Sequence, residues 1–264
     1  MPKAIIIGTS TGIGRALAFE LHHEGWEIAI TGRHPEALDQ IRKELGGSRV
    51  HLRVLDLRGP ETAMETVREL IEVMGGLDLM IVNAGILPVN PKLDWAPEIE
   101  GVRVNIIGFQ AMCHVACHYF ENQGHGHLAG ISSIAALRGT GRAPAYNASK
   151  AFMANYMEGL RQRYYKTKIH ITDLRPGFIE TQMIAGRPGL FWVVSAERAA
   201  RDILKAIRQK KKVAYIPGRW WWIAQIWKIL PEFIYHRAYQ KYVSRPDYHD
   251  FPETKMGKDF SNQS

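Results

Sequence analysis

A glycine-rich turn near the amino terminus restricts the fold of this chain more than any other stretch. Its sequence is Gly8-Thr9-Ser10-Thr11-Gly12-Ile13-Gly14, between a short apolar run at residues 4–7 and a helical pattern of apolar residues. Glycines allow the backbone to approach a pyrophosphate closely, and the free N–H groups at the start of a helix favour negative charge. A tight turn that binds nothing would have a similar sequence, so two interpretations are open at this point.

After this turn, strand and helix patterns alternate along the chain. The predicted strands are residues 4–7, 27–31, 50–55, 79–82, 128–133, 169–174 and 213–216. The predicted helices after the first one are residues 35–45, 60–74, 102–120, 145–165 and 195–209. Alternation of this kind indicates a parallel sheet with helices on both faces. We therefore predict an α/β fold with a doubly wound, seven-stranded, mainly parallel sheet.

The chain shows no internal repeat and no linker before residue 218, so we predict one domain over residues 1–218. Residues 219–243 form an unusual arm in which tryptophans stand beside arginine and lysine. Its tryptophan-rich apolar stretch, residues 218–230, is too short to span a bilayer. We expect it either to cover a substrate cleft, to pack on a second subunit, or to lie as an amphipathic helix on a membrane surface. Residues 244–264 are polar, and we predict a loose tail.

The composition argues against several other classes of protein. The chain has 264 residues, a formal net charge of +8 and two cysteines. Two thiols cannot form a disulfide framework, and the first residues lead directly into a strand, so we expect a reducing, cytoplasmic location, with the arm as a contact to the inner membrane face. Basic residues are dispersed except at 208–212, which we interpret as a solvated helix end, and we expect no nucleic-acid partner.

The predicted helix at residues 102–120 is apolar nearly all round, which indicates burial on more than one side, in the core or in a subunit interface. It carries Cys113, His114, Cys117 and His118. These residues form pairs, whereas a structural zinc ion usually takes four ligands. We interpret them as packing residues and predict no metal site.

Tyr146 and Lys150 are the residues whose spacing most directly indicates catalysis. Four residues apart on a helix, they lie one turn apart on the same face. A nearby ammonium group favours the phenolate and lowers the pKa of a phenol, so the pair can donate or accept a proton in an alcohol–carbonyl interconversion. Tyr164 and Lys168 have the same spacing, and we interpret them as an ordinary surface pair on a helix.

Several motifs, in the expected order, make residues 3–218 resemble the short-chain dehydrogenase/reductase family in its compact, single-domain branch. The glycines at 8, 12 and 14 match its first motif, with Ile7 in place of the usual threonine. Asn83-Ala84-Gly85 matches the family's Asn-Ala-Gly, and Pro176-Gly177 with Thr181 matches its nicotinamide-end motif. The four expected catalytic positions are Asn105, Ser133, Tyr146 and Lys150. The resemblance implies a Rossmann-type fold.

The resemblance also implies a role for each of these four residues. Tyr146 exchanges the proton with the substrate oxygen, and Lys150 lowers the tyrosine pKa and binds the nicotinamide ribose. Ser133 polarises the substrate oxygen, and Asn105 holds a water that links Lys150 to solvent. Two structural alternatives stay open, because Ser133 can cap a strand end and Asn105 can pair with backbone. Family members commonly form homodimers or homotetramers through the helices that hold Asn105 and Tyr146.

The cofactor prediction depends on the end of the second strand. An acidic residue there would bind a ribose 2′-hydroxyl, whereas this chain has Gly32 followed by Arg33, whose guanidinium suits a phosphate. We therefore predict NADP(H) rather than NAD(H); the alternative is that Arg33 stacks on adenine or faces solvent. The residues that the resemblance assigns to cofactor binding are Gly8, Ser10, Thr11, Gly12, Ile13, Gly14, Arg33, Asp56, Leu57, Asn83, Ala84, Gly85, Tyr146, Lys150, Pro176, Gly177, Ile179 and Thr181.

Together these observations predict an NADP(H)-dependent oxidoreductase that interconverts a carbonyl and a secondary alcohol on an apolar, lipid-like substrate. Two other functional classes fit the sequence less well. A catalytically silent, NADP(H)-sensing protein would be expected to lack Tyr146, Lys150 or Ser133, and all three are present. A membrane-attached scaffold would explain the arm but none of the residues of the cleft.

Overall fold

A computed structural model of the chain describes residues 1–184 and 190–244. The strands are β1 (Lys3–Ile7), β2 (Glu27–Gly32), β3 (Val50–Val54), β4 (Leu79–Val82), β5 (His125–Ile131), β6 (Lys168–Pro176), β7 (Ile179–Glu180), β8 (Val194–Ser195) and β9 (Val213–Ile216). The helices are α1 (Gly12–His23), α2 (Pro35–Glu44), α3 (Pro60–Met74), α4 (Trp95–Val102), α5 (Phe109–Gln123), α6 (Pro144–Arg163), α7 (Ala196–Arg208), α8 (Trp220–Ile229) and α9 (Glu232–Val243).

Seven strands form one sheet in the order β3-β2-β1-β4-β5-β6-β9, and every pairing in it is parallel. The predicted doubly wound α/β fold with seven strands is confirmed. The direction of winding reverses between β1 and β4, and the carboxyl ends of such strands border the crevice in which open α/β sheets bind ligands. Strands β7 and β8 pair separately, after the carboxyl end of β6.

Local sequence signals fix the ends of several helices. Proline occupies the first turn of α2, α3 and α6, where its missing N–H costs no helical hydrogen bond. Ser195 caps α7, because its Oγ accepts a hydrogen bond from the Arg198 N–H at 3.2 Å. Gly75 and Gly124 end α3 and α5 in the left-handed conformation, at φ 64° and 82°.

Two apolar cores cover the two faces of the sheet. Helices α1, α2 and α7 bury their apolar stripes on one face, and α3, α5 and α6 bury theirs on the other. Phe109 and Phe120, both without exposed surface, fill the second core beside Met112 and Met157. These cores hold the sheet rigid, and its carboxyl edge therefore offers a fixed base for a site.

The predicted helix at 102–120 differs from the observed one in two respects. The helical segment begins earlier, at Trp95, and a π-helical turn, Arg103–Gly108, separates α4 from α5. Burial on more than one side is observed as predicted, and Gln110, His114 and His118 form the exposed stripe of α5. Cys113 and Cys117 are buried as predicted, and nowhere in the described ranges do three metal-ligating side chains come together.

The interpretation of Tyr164 and Lys168 as a surface pair is wrong. Helix α6 ends at Arg163, so Tyr164 is its C-cap, and Lys168 already belongs to β6. Tyr164 is buried, and its hydroxyl donates to Glu121 Oε1 at 2.9 Å. The basic run at 208–212, in contrast, is exposed at the end of α7, as predicted.

Helices α8 and α9 form the predicted arm, and both pack on the chain itself. Trp220 and Ala224 of α8 are fully buried, next to Tyr215 of β9. Within residues 1–184 and 190–244, no helix combines the length and the apolar character that crossing a bilayer requires. The domain boundary at residue 218 stays a prediction. The predicted tail from residue 245 onward and residues 185–189 lie outside the described part of the chain.

Candidate active site

The glycine turn lies between β1 and α1, at the point where the sheet reverses its winding. Gly8 has φ 88°, and a Cβ there would come within 2.8 Å of the Cα of Ala84. Asn83 donates from Nδ2 to the Gly8 carbonyl at 2.5 Å, and a Cβ on Gly14 would overlap that same carbonyl. The motif at 83–85 therefore supports the glycine turn directly, and side chains at positions 8 and 14 would break this arrangement.

The start of α1 offers N–H groups to an anion. Its N-cap Thr11 makes no side-chain hydrogen bond to the helix, and the first turn contains no acidic residue. The unpaired N–H groups and the positive end of the helix dipole therefore favour a phosphate. Gly12 has φ 58°, and a Cβ there would come within 2.9 Å of Thr181 Cγ2. The residues present thus fit a diphosphate, bordered by the loop that follows β6.

The carboxyl ends of β2 and β3 form the second part of the groove. A Cβ on Gly32 would overlap Ser10 Oγ, so a longer side chain at position 32 would displace the glycine turn. Arg33 is exposed beside it. Asp56 is paired with Arg58, whose Nε donates to it at 2.8 Å. Partial burial works against ionisation, but the Arg58 hydrogen bonds lower the pKa of Asp56, helped by the charge of Arg33.

Lys150 is a buried ammonium group at the carboxyl end of β5. Its Nζ donates to the Ile131 carbonyl at 2.9 Å and lies 3.4 Å from the position that a Cβ on Gly85 would occupy. Burial lowers the pKa of Lys150 to about 8, and the carboxylate of Asp173 acts in the opposite direction. Because this value is still above 7, most of the population keeps the positive charge at neutral pH.

Tyr146 lies one turn before Lys150 on α6, as the spacing predicted. The Lys150 Nζ is 5.7 Å from the centroid of the Tyr146 ring. The Tyr146 side chain is half-buried. The next turn is fixed by Ser149, whose hydroxyl donates to the Tyr146 carbonyl at 2.8 Å. An ammonium at this distance stabilises negative charge that develops on the phenol oxygen.

Asn105 lies in the π-helical turn, a type of local distortion that is frequent at functional sites. It is 1% exposed, and its side chain both accepts from the Ile86 N–H and donates to the Ile86 carbonyl, each at 2.8 Å. Its Nδ2 also reaches Ser149 Oγ at 3.2 Å. The Asn105 side chain thus connects α6 to the loop after β4. Its pairing with the backbone is the structural alternative that the sequence left open.

Ser133 lies just beyond β5 and is 9% exposed. Its Oγ accepts from the Ala135 N–H at 3.0 Å, and it caps the 3-10 turn Ile134–Ala136. The contact from this hydroxyl to the Pro176 carbonyl measures 3.5 Å, at the long limit for a hydrogen bond. The hydroxyl therefore keeps donor capacity for another acceptor.

The motif after β6 forms the wall opposite α6. Ile179 is buried in β7, and Leu57, after β3, is buried against Gly108. Gly177 lies against the indole of Trp220, so that any side chain at position 177 would overlap this ring. Trp220 Nε1 is the one buried side-chain nitrogen or oxygen without a hydrogen-bond partner among the residues that the structure describes.

Three residues that contact this groove or its supports were not predicted. Asp173 is fully buried below Lys150, where it accepts from Arg175 Nε at 2.6 Å; its signal was a carboxylate inside an apolar strand. Trp220 and Tyr235 of the arm reach the walls of the groove. No sequence signal distinguished these two from the other aromatic residues of the arm.

The comparisons with known proteins agree with this geometry. The sequence profile of the short-chain dehydrogenase family matches residues 2–188. An uncharacterized oxidoreductase of Myxococcus xanthus is 33% identical over 186 residues, which cover 69% of this chain and 74% of that protein.

Two solved structures share the fold. An alcohol dehydrogenase from the archaeon Thermococcus sibiricus, complexed with 5-hydroxy-NADP, has a TM-score of 0.73 at 21% identity, over 81% of this chain and 95% of that one. A 3-ketoacyl-(acyl-carrier-protein) reductase from Brucella melitensis, complexed with NADH, has a TM-score of 0.73 at 20% identity, over 81% and 95%.

Proposed function

The chain belongs to the short-chain dehydrogenase family, and on that premise we propose that it is an NADP(H)-dependent oxidoreductase that interconverts a carbonyl and a secondary alcohol. One observation carries the proposal. The Lys150 ammonium lies 5.7 Å from the Tyr146 ring centroid and beside Gly85. A proton-exchanging pair and a phosphate-binding turn therefore share one edge of the sheet.

Each residue then has a distinct chemical task in the reduction direction. A bound nicotinamide supplies the hydride. The Tyr146 hydroxyl gives its proton to the substrate oxygen, and the Lys150 ammonium stabilises the negative charge that this leaves on the phenol oxygen. The Ser133 hydroxyl donates to the substrate oxygen, where charge develops. Alcohol oxidation uses the same residues in reverse.

Asn105 has a supporting task in this proposal. Its side chain is already occupied by the Ile86 backbone and Ser149, so it positions α6 against the loop after β4. A water held near Asn105, as family members use it, would link Lys150 to solvent. Such a water would return a proton to the pair after each turnover.

The preference for NADP(H) rests on position 33. The two solved structures described above carry an NADP derivative and NADH, so overall likeness does not decide between the cofactors. Strand β2 ends at Gly32, and the exposed Arg33 follows it, so a cation stands at this position instead of a carboxylate. A guanidinium pairs well with a 2′-phosphate, whereas NAD(H) offers a hydroxyl there.

Replacing Arg33 tests this preference. We expect Arg33→Ala to lower kcat/KM for NADPH by about tenfold to a hundredfold, the value of a charge-assisted hydrogen bond, with little change for NADH. Arg42→Ala, an exposed arginine on α2, is the matched control. The measurement is the absorbance of reduced nicotinamide with a panel of ketones. A wild-type preference for NADH would contradict the cofactor assignment, and no turnover on any carbonyl or alcohol would contradict the function.

The partners in this proposal are three. The substrate is a small apolar carbonyl or alcohol, which the exposed ring of Phe191 supports; this ring packs on the buried Trp220 in the region after β6 and β9. A second copy of the chain packs on α5 and α6 to form a dimer. A membrane surface contacts the arm at residues 219–243.

A further inference from the structure

Six of the exposed large apolar side chains lie on segments that follow the carboxyl ends of strands of the sheet. Leu93 and Trp95 follow β4, Phe191 and Trp192 follow β6, and Trp222 and Phe233 follow β9. Trp95, Trp222 and Phe233 are 75%, 68% and 74% exposed. Because the carboxyl ends of parallel strands meet at one edge, the three segments leave the sheet where the candidate active site lies. We call these six residues the apolar rim.

Helix α8 has two opposite apolar faces. Trp220 and Ala224 have no exposed surface and pack toward β9 and Phe178. Trp222, Ile226 and Ile229 recur at the spacing of one helix face, about half a turn away from Trp220. They are 68%, 56% and 83% exposed. Packing on the domain therefore accounts for one face of α8 and leaves the other against solvent.

Helix α9 holds the arm on the loop that precedes Tyr146. The Tyr235 hydroxyl donates to the Gly139 carbonyl at 2.7 Å, and the Arg138 guanidinium lies 4.6 Å from the Tyr235 ring centroid. Tyr239 is next to Gly141 of the same loop. The inner side of α9 is thereby occupied by the wall of the cleft, while Phe233 remains exposed.

The charges of the arm favour an anionic partner. Arg219, Lys228, Arg237 and Lys241 are all exposed, and Glu232 is the one acidic residue at positions 219–244. A second copy of the same arm would bring these positive charges together, which is unfavourable. Lipid headgroups of negative charge attract them, and tryptophan beside lysine or arginine is typical of the membrane interface.

We propose that the apolar rim and the outer face of α8 dock on an anionic lipid bilayer, and that the cleft takes its apolar carbonyl substrate from that bilayer. The second half of this inference rests on the proposed reaction; the first half specifies the proposed membrane contact of the arm and does not need that reaction. In this arrangement the outer side of the arm contacts lipid, while its inner side holds the cleft. A docked molecule thus exposes its substrate entrance to lipid rather than to water.

Vesicle flotation with the full chain tests the docking. Vesicles of phosphatidylcholine alone are compared with vesicles that also contain phosphatidylglycerol, at low and high salt. We expect flotation with the anionic vesicles, weakened by salt, because headgroup attraction is screened. The triple variant Trp222→Glu, Ile226→Glu, Phe233→Glu is expected to lose at least about tenfold in partitioning, since it removes buried apolar area and reverses charge. The control is Val73→Glu, at an apolar residue on α3 that is 56% exposed, as Ile226 is.

Turnover on two ketones separates the parts of the inference. The triple variant should reduce a short, water-soluble ketone at the wild-type rate and lose at least about tenfold on a long-chain ketone presented in vesicles. Equal flotation of triple variant and wild type would overturn the docking, as would a wild type that stays in solution. A dimer that the triple variant converts to monomer would overturn it in favour of a second copy. Absence of turnover with every ketone, beside normal flotation, would overturn only the proposed function and the delivery step.

Discussion

At the residue scale, Lys150 shows a conflict between stability and the proposed function: its buried ammonium is costly for folding but serves the proposed reaction. Burial lowers its pKa from 10.5 to about 8, although Asp173 counteracts this. A pKa difference of this size means that burying the charged ammonium costs about 3 kcal/mol of folding free energy. The chain keeps this unfavourable charge beside Tyr146, where the proposed reaction develops a negative oxygen.

Replacing this lysine by an apolar residue should therefore stabilise the protein. We expect Lys150→Met to raise the free energy of unfolding at pH 7 by about 2 kcal/mol, after about 1 kcal/mol is lost with the hydrogen bond to Ile131. Between pH 8 and 10.5 the unfolded wild type holds more protons here than the folded one, so wild-type stability rises with pH. The stability that Lys150→Met gains over wild type should therefore decrease between pH 8 and pH 10.5.

Urea unfolding at pH 7 and at pH 10 measures both parts of this prediction. Lys168→Met, at an exposed position at the start of β6, is the control and should change little. If Lys150→Met were less stable than wild type at pH 7, the ammonium would be a net stabilising group, and the account of its burial would be wrong.

At the scale of elements, Trp220 is the largest buried side chain of α8. Trp220 is fully buried against Gly177, Phe178 and Phe191. We expect Trp220→Ala to lower the free energy of unfolding by about 3–5 kcal/mol, the usual cost of truncating a buried aromatic residue. Trp222→Ala, two residues later and 68% exposed, should change it by less than about 0.5 kcal/mol. Chemical denaturation of both variants checks this, and equal effects would mean that the arm is not anchored through Trp220.

The sequence predicted most elements because their boundaries have local causes. Pro60 begins α3 and a left-handed Gly75 ends it, and the predicted range was correct at both ends. Strands β4 and β9 were also predicted at their observed bounds. The π-helical turn was missed, because one extra residue in a helix does not change the apolar pattern visibly. The end of α6 was missed because Tyr164 continues that pattern although it is already the C-cap.

The sequence predicted which residues come together at this edge of the sheet, but not the contacts that support them. The Tyr146–Lys150 spacing follows from helix geometry, and the structure brings the pair together with Gly85 and Asn105. The approach of Thr181 to Gly12 depends instead on where two loops meet across the sheet edge. The contact between Tyr235 and Gly139 spans 96 residues. Spacing along the chain carries no information on such contacts.

At the scale of the whole molecule, α5 and α6 present the face on which we propose a dimer forms. Ala148, Ala151, Asn155 and Gly159 form an exposed stripe of mostly small residues along α6. Small side chains allow a second helix to approach closely. The exposed stripe at residues 110, 114 and 118 of α5 extends this face.

A large charged side chain on this face should separate the subunits. We expect Ala151→Arg to convert a dimer to monomer at micromolar concentration, measured by analytical ultracentrifugation, because a buried unpaired charge at an interface is costly. Thr62→Arg, at an exposed position on α3, should leave the dimer intact. A dimer that persists in Ala151→Arg would exclude this face as the interface.

The whole account depends on Tyr146 as the proton donor, and one substitution tests it most directly. Tyr146→Phe removes a single oxygen, and Tyr165→Phe, 70% exposed just beyond the end of α6, is its control. Cofactor affinity by fluorescence titration and ketone reduction by NADPH oxidation are measured on both. We predict unchanged NADPH binding and a fall in kcat of at least about a hundredfold for Tyr146→Phe alone. Reduction at the wild-type rate by that variant would contradict the mechanism.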